Sequence, residues 1–359
     1  MNTPLDRRAW RLCVAPMMQK TDRHFRYLAR LIAPDARLYT EMLTARAILR
    51  GDREQLLGYD PAEHPLAVQL GGSDPTELAS AAQLCAALGY QEVNLNCGCP
   101  SDRVQAADFG ACLMAKPALV AECVQALLAA VPASVTVSVK TRLGIDDLYS
   151  YDYFASFVHT LYQAGCRVFH IHARKAWLAG LSPRENREIP PLEYAWVYRL
   201  RRELPTAVVV INGGIVTVDE AIGHLREVDG VMLGRAAYDN PYALAALNQA
   251  LFGASTATAM SREECLARYL SYVSAELARG TQLHHVSRHL LNLFQGRPGA
   301  RQWRRQLTEN AHSPAAGIDV IERACAAMAA VAPSLEHESG LSAARATTRL
   351  AIDPQSDLA

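Results

Sequence analysis

Apolar residues along this chain fall into short runs separated by longer amphipathic stretches. The runs read Leu12–Pro16, Leu38–Met42, Leu66–Leu70, Glu92–Asn96, Val135–Lys140, Val168–His172, Val208–Asn212 and Gly230–Gly234. Several are nearly continuous Val, Ile and Leu, as expected for parallel strands covered on both faces. Between them Glu77–Leu88, Ala118–Ala130, Tyr153–Gln163, Leu192–Glu203 and Val218–Leu225 read as amphipathic helices. Eight strand–helix units predict an α/β fold, a (β/α)8 TIM barrel. A doubly wound sheet is the alternative. It would ordinarily place a Gly-rich phosphate loop after the first strand, where this chain has Ala15-Pro16-Met17-Met18.

The pattern changes after Phe252-Gly253. Ala254–Met260 reads as a linker, and Arg262–Leu277, Val286–Phe294 and Ile318–Val331 read as helices with no strands between them. The expected organisation is a barrel over residues 1–253, a small all-helical domain over 254–334, and a disordered polar tail over 335–359.

Composition narrows the class. Half of the 359 residues are apolar and a fifth are charged, as in a globular domain. Lys+Arg and Asp+Glu both number 36, so any nucleic-acid footprint must come from uneven placement of charge. The 9 cysteines form no CxxC pair, and no metal site is expected. Their odd number, with no apolar leader at the start of the chain, points to reduced thiols in a cytoplasm. No charge-free apolar stretch is long enough to suggest a membrane span.

In a (β/α)8 barrel, chemistry collects at the C-terminal ends of the strands. Those ends offer Pro16, Met17 and Met18; Glu41; Gln69; Asn94, Asn96 and Cys99; Lys140 and Arg142; His170, His172 and Arg174; Asn212, Gly213 and Gly214; and Gly234 with Arg235. Asn212-Gly213-Gly214 and Gly234-Arg235 follow the seventh and eighth runs. They supply flexible backbone N–H groups and a cation, which together suit a phosphate. Beside such a site, Lys140 fits the pyrimidine edge of a flavin ring, where a cation stabilises charge gained on reduction. Gln69 can hydrogen-bond the same edge, and Pro16, Met17 and Met18 complete the expected cofactor set. Of His170 and His172, alternation is expected to turn only one inward. His172 is chosen as the nearer to the strand end, and His170 is assigned to the core or the helix side.

The sharpest local signal is Asn94–Ser101 (NLNCGCPS). Cys99, between Gly98 and Pro100, is expected on a tight, exposed turn and so in a reactive role. Cys13, Cys85, Cys123 and Cys166 read as buried structural thiols.

Together these pieces resemble the tRNA-dihydrouridine synthases. The matching segments are Ala15-Pro16-Met17, Asn94–Val104, Lys140-Thr141-Arg142, Ile171-His172-Ala173-Arg174, Ile211–Gly214 and Val231–Arg235. Ala173–Arg187 and Gln295–Arg305 look most like the A-type subfamily, which acts at positions 20 and 20a of the tRNA D-loop. Cys97 departs from the pattern, standing where a small aliphatic residue is expected. The resemblance implies bound FMN, NADPH as reductant, hydride transfer to C6 of uracil, and protonation of C5 by Cys99. It also implies tRNA contacts from Asn96, Arg174, Arg184, Arg187, Arg301 and Arg304, and a monomer. The target base must be flipped out of its stack to reach a barrel mouth.

The charge distribution agrees with an RNA partner. Residues 281–308 hold five arginines (288, 297, 301, 304, 305) and three histidines, with no Asp or Glu. Arg301 and Arg304 are expected one helical turn apart. Lys175 and the possible stacking surface of Trp177 join the arginines of the loop after the sixth run. Two rival readings remain at this stage. One is a flavin barrel acting on a small molecule, which leaves the basic helical segment unexplained. The other is a non-catalytic RNA-binding barrel, which leaves Cys99 idle.

Overall fold

A computed structural model describes residues 5–253 and 260–331. The expected linker and tail lie outside the described residues, apart from Met260. Eight parallel strands form one sheet: β1 (Leu12–Val14), β2 (Leu38–Thr44), β3 (Leu66–Gly71), β4 (Glu92–Cys97), β5 (Thr136–Thr141), β6 (Val168–His172), β7 (Val208–Asn212) and β8 (Gly230–Leu233). The order β1-β8-β7-β6-β5-β4-β3-β2 leaves β1 and β2 as neighbours in sequence at the two ends. They close the ring: Val14 N–H donates to the Arg37 carbonyl at 2.9 Å, and Arg37 N–H donates to Leu12 at 2.8 Å. The (β/α)8 barrel expected from the apolar runs is therefore present, with each strand within about two residues of its predicted bounds.

Helices follow where capping chemistry starts them. Pro75–Ala87 begins at Asp74, whose carboxylate accepts from the N–H groups of Thr76 and Glu77, and Pro75 occupies a position that needs no donor. Tyr151–Gln163 begins at Ser150, whose hydroxyl accepts from Tyr153 N–H. Pro117–Ala130, Tyr194–Glu203 and Val218–His224 complete the predicted set. The helix Arg23–Ile32, not among the predicted ones, fills the first crossover.

The barrel interior is polar at mid-height. Glu92, fully buried at the start of β4, accepts from Trp10 Nε1 at 2.8 Å, Arg37 at 3.2 Å, the Tyr39 hydroxyl at 2.8 Å and the Ser138 hydroxyl at 2.5 Å. Burying a carboxylate is costly unless charge and hydrogen bonds compensate it, and here four donors do so. The network corrects the expectation for β6. Residues 170 and 172 are two apart, so strand alternation puts both on the same face. His170 lies within 2.7 Å of the Tyr39 hydroxyl on β2. Side chains of β2 and β6, which are not neighbours in the sheet, meet only inside the ring. Both histidines therefore face inward, His170 in the polar layer and His172 at the rim.

The chain divides into two compact units. The first comprises Met1–Arg26, Asp35–Ile215 and Ala221–Gly234; the second comprises Tyr27–Pro34, Val216–Glu220 and the chain from residue 235 onward. Within the second unit, Arg262–Ala278 starts from a Ser261–Glu264 capping box, and Tyr27 stacks on Tyr272 with ring centroids 4.1 Å apart. Trp303 is fully buried, donating its Nε1–H to the Leu290 carbonyl at 2.8 Å. It sits on the helix Ala300–Asn310, and Ile318–Ala329 follows. The predicted helix Val286–Phe294 is instead a short α-turn, Leu283–Ser287, running into a 3-10 turn, Arg288–Leu290. Val286, Leu290, Leu293 and Phe294 are all buried. Their spacing therefore reports burial, but the segment before Gly296 and Pro298 is too short for a self-supporting helix.

Candidate active site

The strand ends meet at one mouth, and β4 supplies its centre. The Asn96 side chain is engaged at both ends. Its Oδ1 accepts from the N–H groups of Gly98 and Cys99 at 3.1 and 3.0 Å, and its Nδ2 donates to Gln69 at 2.8 Å. Gln69 in turn donates to Asn94 at 2.7 Å, and Asn94 donates to Ser138 at 2.7 Å. A chain of side-chain amides thus runs from buried Glu92 up to the turn that carries Cys99. Cys99 is half-buried, and its thiol lies 3.5 Å from the Ser101 hydroxyl. Its carbonyl accepts from Ala111 N–H at 2.9 Å. The approach is tight enough that a Cβ at Gly110, where φ is +80°, would come within 2.6 Å of that carbonyl oxygen. Cys13, Cys85, Cys123 and Cys166 are buried, and burial pushes each thiol above its ordinary range.

A second group forms across β5, β6 and β7. Lys140 Nζ donates to Asn212 Oδ1 at 3.2 Å, and Asn212 Nδ2 donates to the Met232 carbonyl at 2.7 Å. Burial, with the charge of Arg142 nearby, pushes the Lys140 ammonium down to about 7. The same two causes, in the same order, hold the His172 imidazole well below its ordinary range, so it is neutral at pH 7. Arg142, a strand-end residue to which the sequence reading gave no role, is 3 % exposed. Its Nε donates to the Gly98 carbonyl at 2.9 Å, and its Nη1 donates to the carbonyls of Lys175 and Asn186 at 3.0 and 2.8 Å. Among the described residues neither Lys140 nor Arg142 pairs with a carboxylate. The mouth is therefore a concentration of positive charge.

The glycine turns border this group. Gly213 and Gly214 have φ of +113° and +73°, conformations that L side chains rarely adopt. A Cβ on Gly213 would lie 2.7 Å from His172 Cδ2. At Gly234 a Cβ would meet only Ala15 Cβ at 3.9 Å and Met17 Sδ at 4.0 Å, so that backbone stands open toward the β1 loop. Pro16 is half-buried in that loop, and Met18 is 57 % exposed. Arg235 follows Gly234 and opens the short helix Arg235–Asp239 of the second unit.

The arginines differ in what engages them. Arg174 donates to the Pro190 carbonyl, and Arg184 lies 3.7 Å from Glu188. Arg187 is exposed, yet its charge is felt at Lys140, Arg142 and His172. Lys175 Nζ sits 3.5 Å over the Trp177 ring, a cation–π contact that occupies the face proposed for stacking. In the second unit, the acid-free run is partly neutralised from outside its bounds. Arg297 lies 3.8 Å from Glu263, and Arg305 pairs with Glu309 at 2.9 Å. Arg304 donates to Gln295 at 2.9 Å, and Arg301 is exposed on the same helix. These two remain without a carboxylate among the described residues.

A closed parallel barrel with a polar, cationic mouth defines an enzyme architecture rather than one reaction. The family model for dihydrouridine synthase (Dus) matches residues 13–330, and the chain belongs to that family. Among relatives, the tRNA-dihydrouridine(20/20a) synthase of Xanthomonas axonopodis pv. citri (strain 306) is 56% identical over 314 residues, covering 88% of this chain and 92% of that one. The protein of the same name from Shewanella oneidensis is 56% identical over 311 residues, covering 87% and 92%. That from Escherichia coli O6:H1 is 54% identical over 317 residues, covering 88% and 95%.

Proposed function

We propose that this protein is a flavin-dependent tRNA-dihydrouridine synthase that reduces uridine at positions 20 and 20a of tRNA, with FMN bound in the barrel mouth and NADPH as reductant. The observation that carries the reading is the thiol of Cys99, held on a built turn beside a cationic mouth.

The residues present fit a phosphorylated flavin. Gly213 and Gly214 adopt the positive-φ conformations from which successive N–H groups can be turned toward an anion, and Gly234 leaves open space toward Ala15 and Met17. Asn212 on β7, with Pro16 and Met18 of the loop after β1, would add the remaining contacts on this side. Among the described residues Lys140 pairs with no carboxylate, and an anion brought beside it would favour its charged form. His172 is a neutral donor or acceptor for the ring. Gln69 retains one N–H beyond the one given to Asn94.

When bound, the reduced flavin supplies the hydride for C6 of the uracil ring. Cys99 gives its thiol proton to C5, which saturates the C5–C6 double bond and leaves a thiolate that solvent reprotonates. Asn96 holds the peptide of Cys99, so its effect on uracil passes largely through that turn. Arg174, Arg184 and Arg187 flank the mouth on the loop after β6, where they meet the phosphates around a flipped base. Arg301 and Arg304 face RNA from the helical unit. The resemblance to the tRNA-dihydrouridine synthases supports a monomer that works in the cytoplasm. Among the described residues, no helix is long and apolar enough to cross a membrane.

Replacing the thiol isolates the protonation step. Cys99→Ala should keep bound flavin and its reduction by NADPH while dihydrouridine formation falls by about a hundredfold or more. Normal product formation in that variant would remove Cys99 from the mechanism.

A further inference from the structure

Arg142 is a buried cation whose contacts have an unusual distribution. Its three acceptors are backbone carbonyls from two separate loops. Gly98 belongs to the turn after β4 and immediately precedes Cys99. Lys175 and Asn186 belong to the loop after β6, which also carries Arg174, Arg184 and Arg187. A guanidinium can serve several acceptors at once because its donors are fixed in a planar fork, and charge strengthens each bond. Burial, with Arg187 next, pushes its pKa down to about 10, so it remains cationic at neutral pH.

Both sides of this joint are otherwise well braced. On the Cys99 side, the residue Gly98 is fixed at each end, its N–H by Asn96 Oδ1 at 3.1 Å and its carbonyl by Arg142 Nε at 2.9 Å. On the other side, Asn186 is fully buried and laces its own loop. Its Nδ2 donates to the carbonyls of Trp177 and Leu181 at 2.9 and 3.1 Å, and its Oδ1 accepts from Trp177 N–H at 2.7 Å. Each loop thus has internal ties of its own, from Asn96 on one side and Asn186 on the other, and Arg142 bonds directly to both. Without it, the carbonyls of Gly98, Lys175 and Asn186 each lose a charge-assisted donor.

We propose that Arg142 is a positioning residue that couples the Cys99 turn to the loop after β6, so that the proton donor and the RNA-facing arginines are set in one register. The inference rests on the reading of Cys99 as the acid. It assigns Arg142 no contact with the reacting atoms. It also makes Asn186, remote from the thiol in sequence, part of the same device. When RNA engages the arginines of the second loop, Arg142 passes that restraint to the peptide before Cys99.

The test uses the flavin-loaded enzyme with Arg142→Lys, Asn186→Ala, their combination, and Cys99→Ala. Lysine keeps the charge but lacks the planar fork that spans both loops. Retained visible flavin absorbance and reduction by NADPH report an intact barrel. Arg142→Lys is expected to lower kcat for dihydrouridine formation by about a hundredfold, the usual scale for misplacing a reacting group by an ångström. KM for tRNA should change far less. Amide hydrogen exchange should speed up in both segments, 97–101 and 174–187. Asn186→Ala, altered only in the second loop, should loosen the first loop as well. The double variant should lose less than the sum of the two single losses.

Faster exchange in one segment only, or an unchanged kcat in Arg142→Lys, overturns the coupling. If Arg142→Lys loses its flavin, Asn186→Ala decides: a first loop left undisturbed in that variant also overturns it. Cys99→Ala separates the two readings. Full turnover there removes the acid assignment, while the exchange pattern still decides the joint.

Discussion

At the residue scale, the site is governed by what is buried without an opposing charge. Lys140 illustrates this. Its ammonium belongs near 10.5 when unfolded and is pushed to about 7 by burial in the fold. Between those values the unfolded chain binds a proton that the folded chain does not. Folding therefore becomes more favourable as pH rises through that window, and the penalty is complete below about 7. Denaturant melts of the flavin-free protein should show stability rising with pH above about 7 relative to Lys140→Met. Parallel pH profiles for the two proteins would mean that Lys140 titrates normally. The polar positions Glu92, Asn94 and Asn96 alternate along β4 and were readable as one inward face. The partners of Glu92 were not, because Trp10, Arg37, Tyr39 and Ser138 come from three other parts of the chain. His170 was rightly allowed in the core, but alternation was misapplied to two residues that share a face, and Arg142 was seen as a strand end but not as a bridge between loops.

At the element scale, the strands were legible because parallel strands covered on both faces leave continuous Val, Ile and Leu runs. Their ends followed, since a barrel puts chemistry at one rim. The segment over residues 283–294 was misread as one helix, because buried spacing alone does not distinguish a helix from a string of short turns. The helix Ala300–Asn310 is where Arg301 and Arg304 were expected, one turn apart. Replacing both with alanine should weaken tRNA binding. It should also reduce the slope of log affinity against log salt by about 2, roughly one released counterion per arginine. An unchanged slope would show that neither side chain meets a phosphate. Arg305, paired with Glu309 at 2.9 Å, should contribute less to that slope than Arg301.

At the scale of the whole molecule, a net charge of zero conceals the device. Buried acids are matched by arginines away from the mouth, Glu92 by Arg37 and Glu63 by Arg26, while the mouth keeps Lys140 and Arg142 without carboxylates among the described residues. Composition alone therefore could not report an RNA enzyme; the placement of each charge along the chain could. The central claim is that the reduced flavin in this mouth is oxidised by a uridine presented by tRNA. It is tested by reducing the flavin-loaded enzyme without oxygen, adding tRNA that lacks dihydrouridine, following visible flavin absorbance, and mapping the product. The account predicts rapid reoxidation with tRNA and not with free uridine, with dihydrouridine at positions 20 and 20a. A flavin that stays reduced with tRNA, or that reoxidises equally well with free uridine, would contradict it.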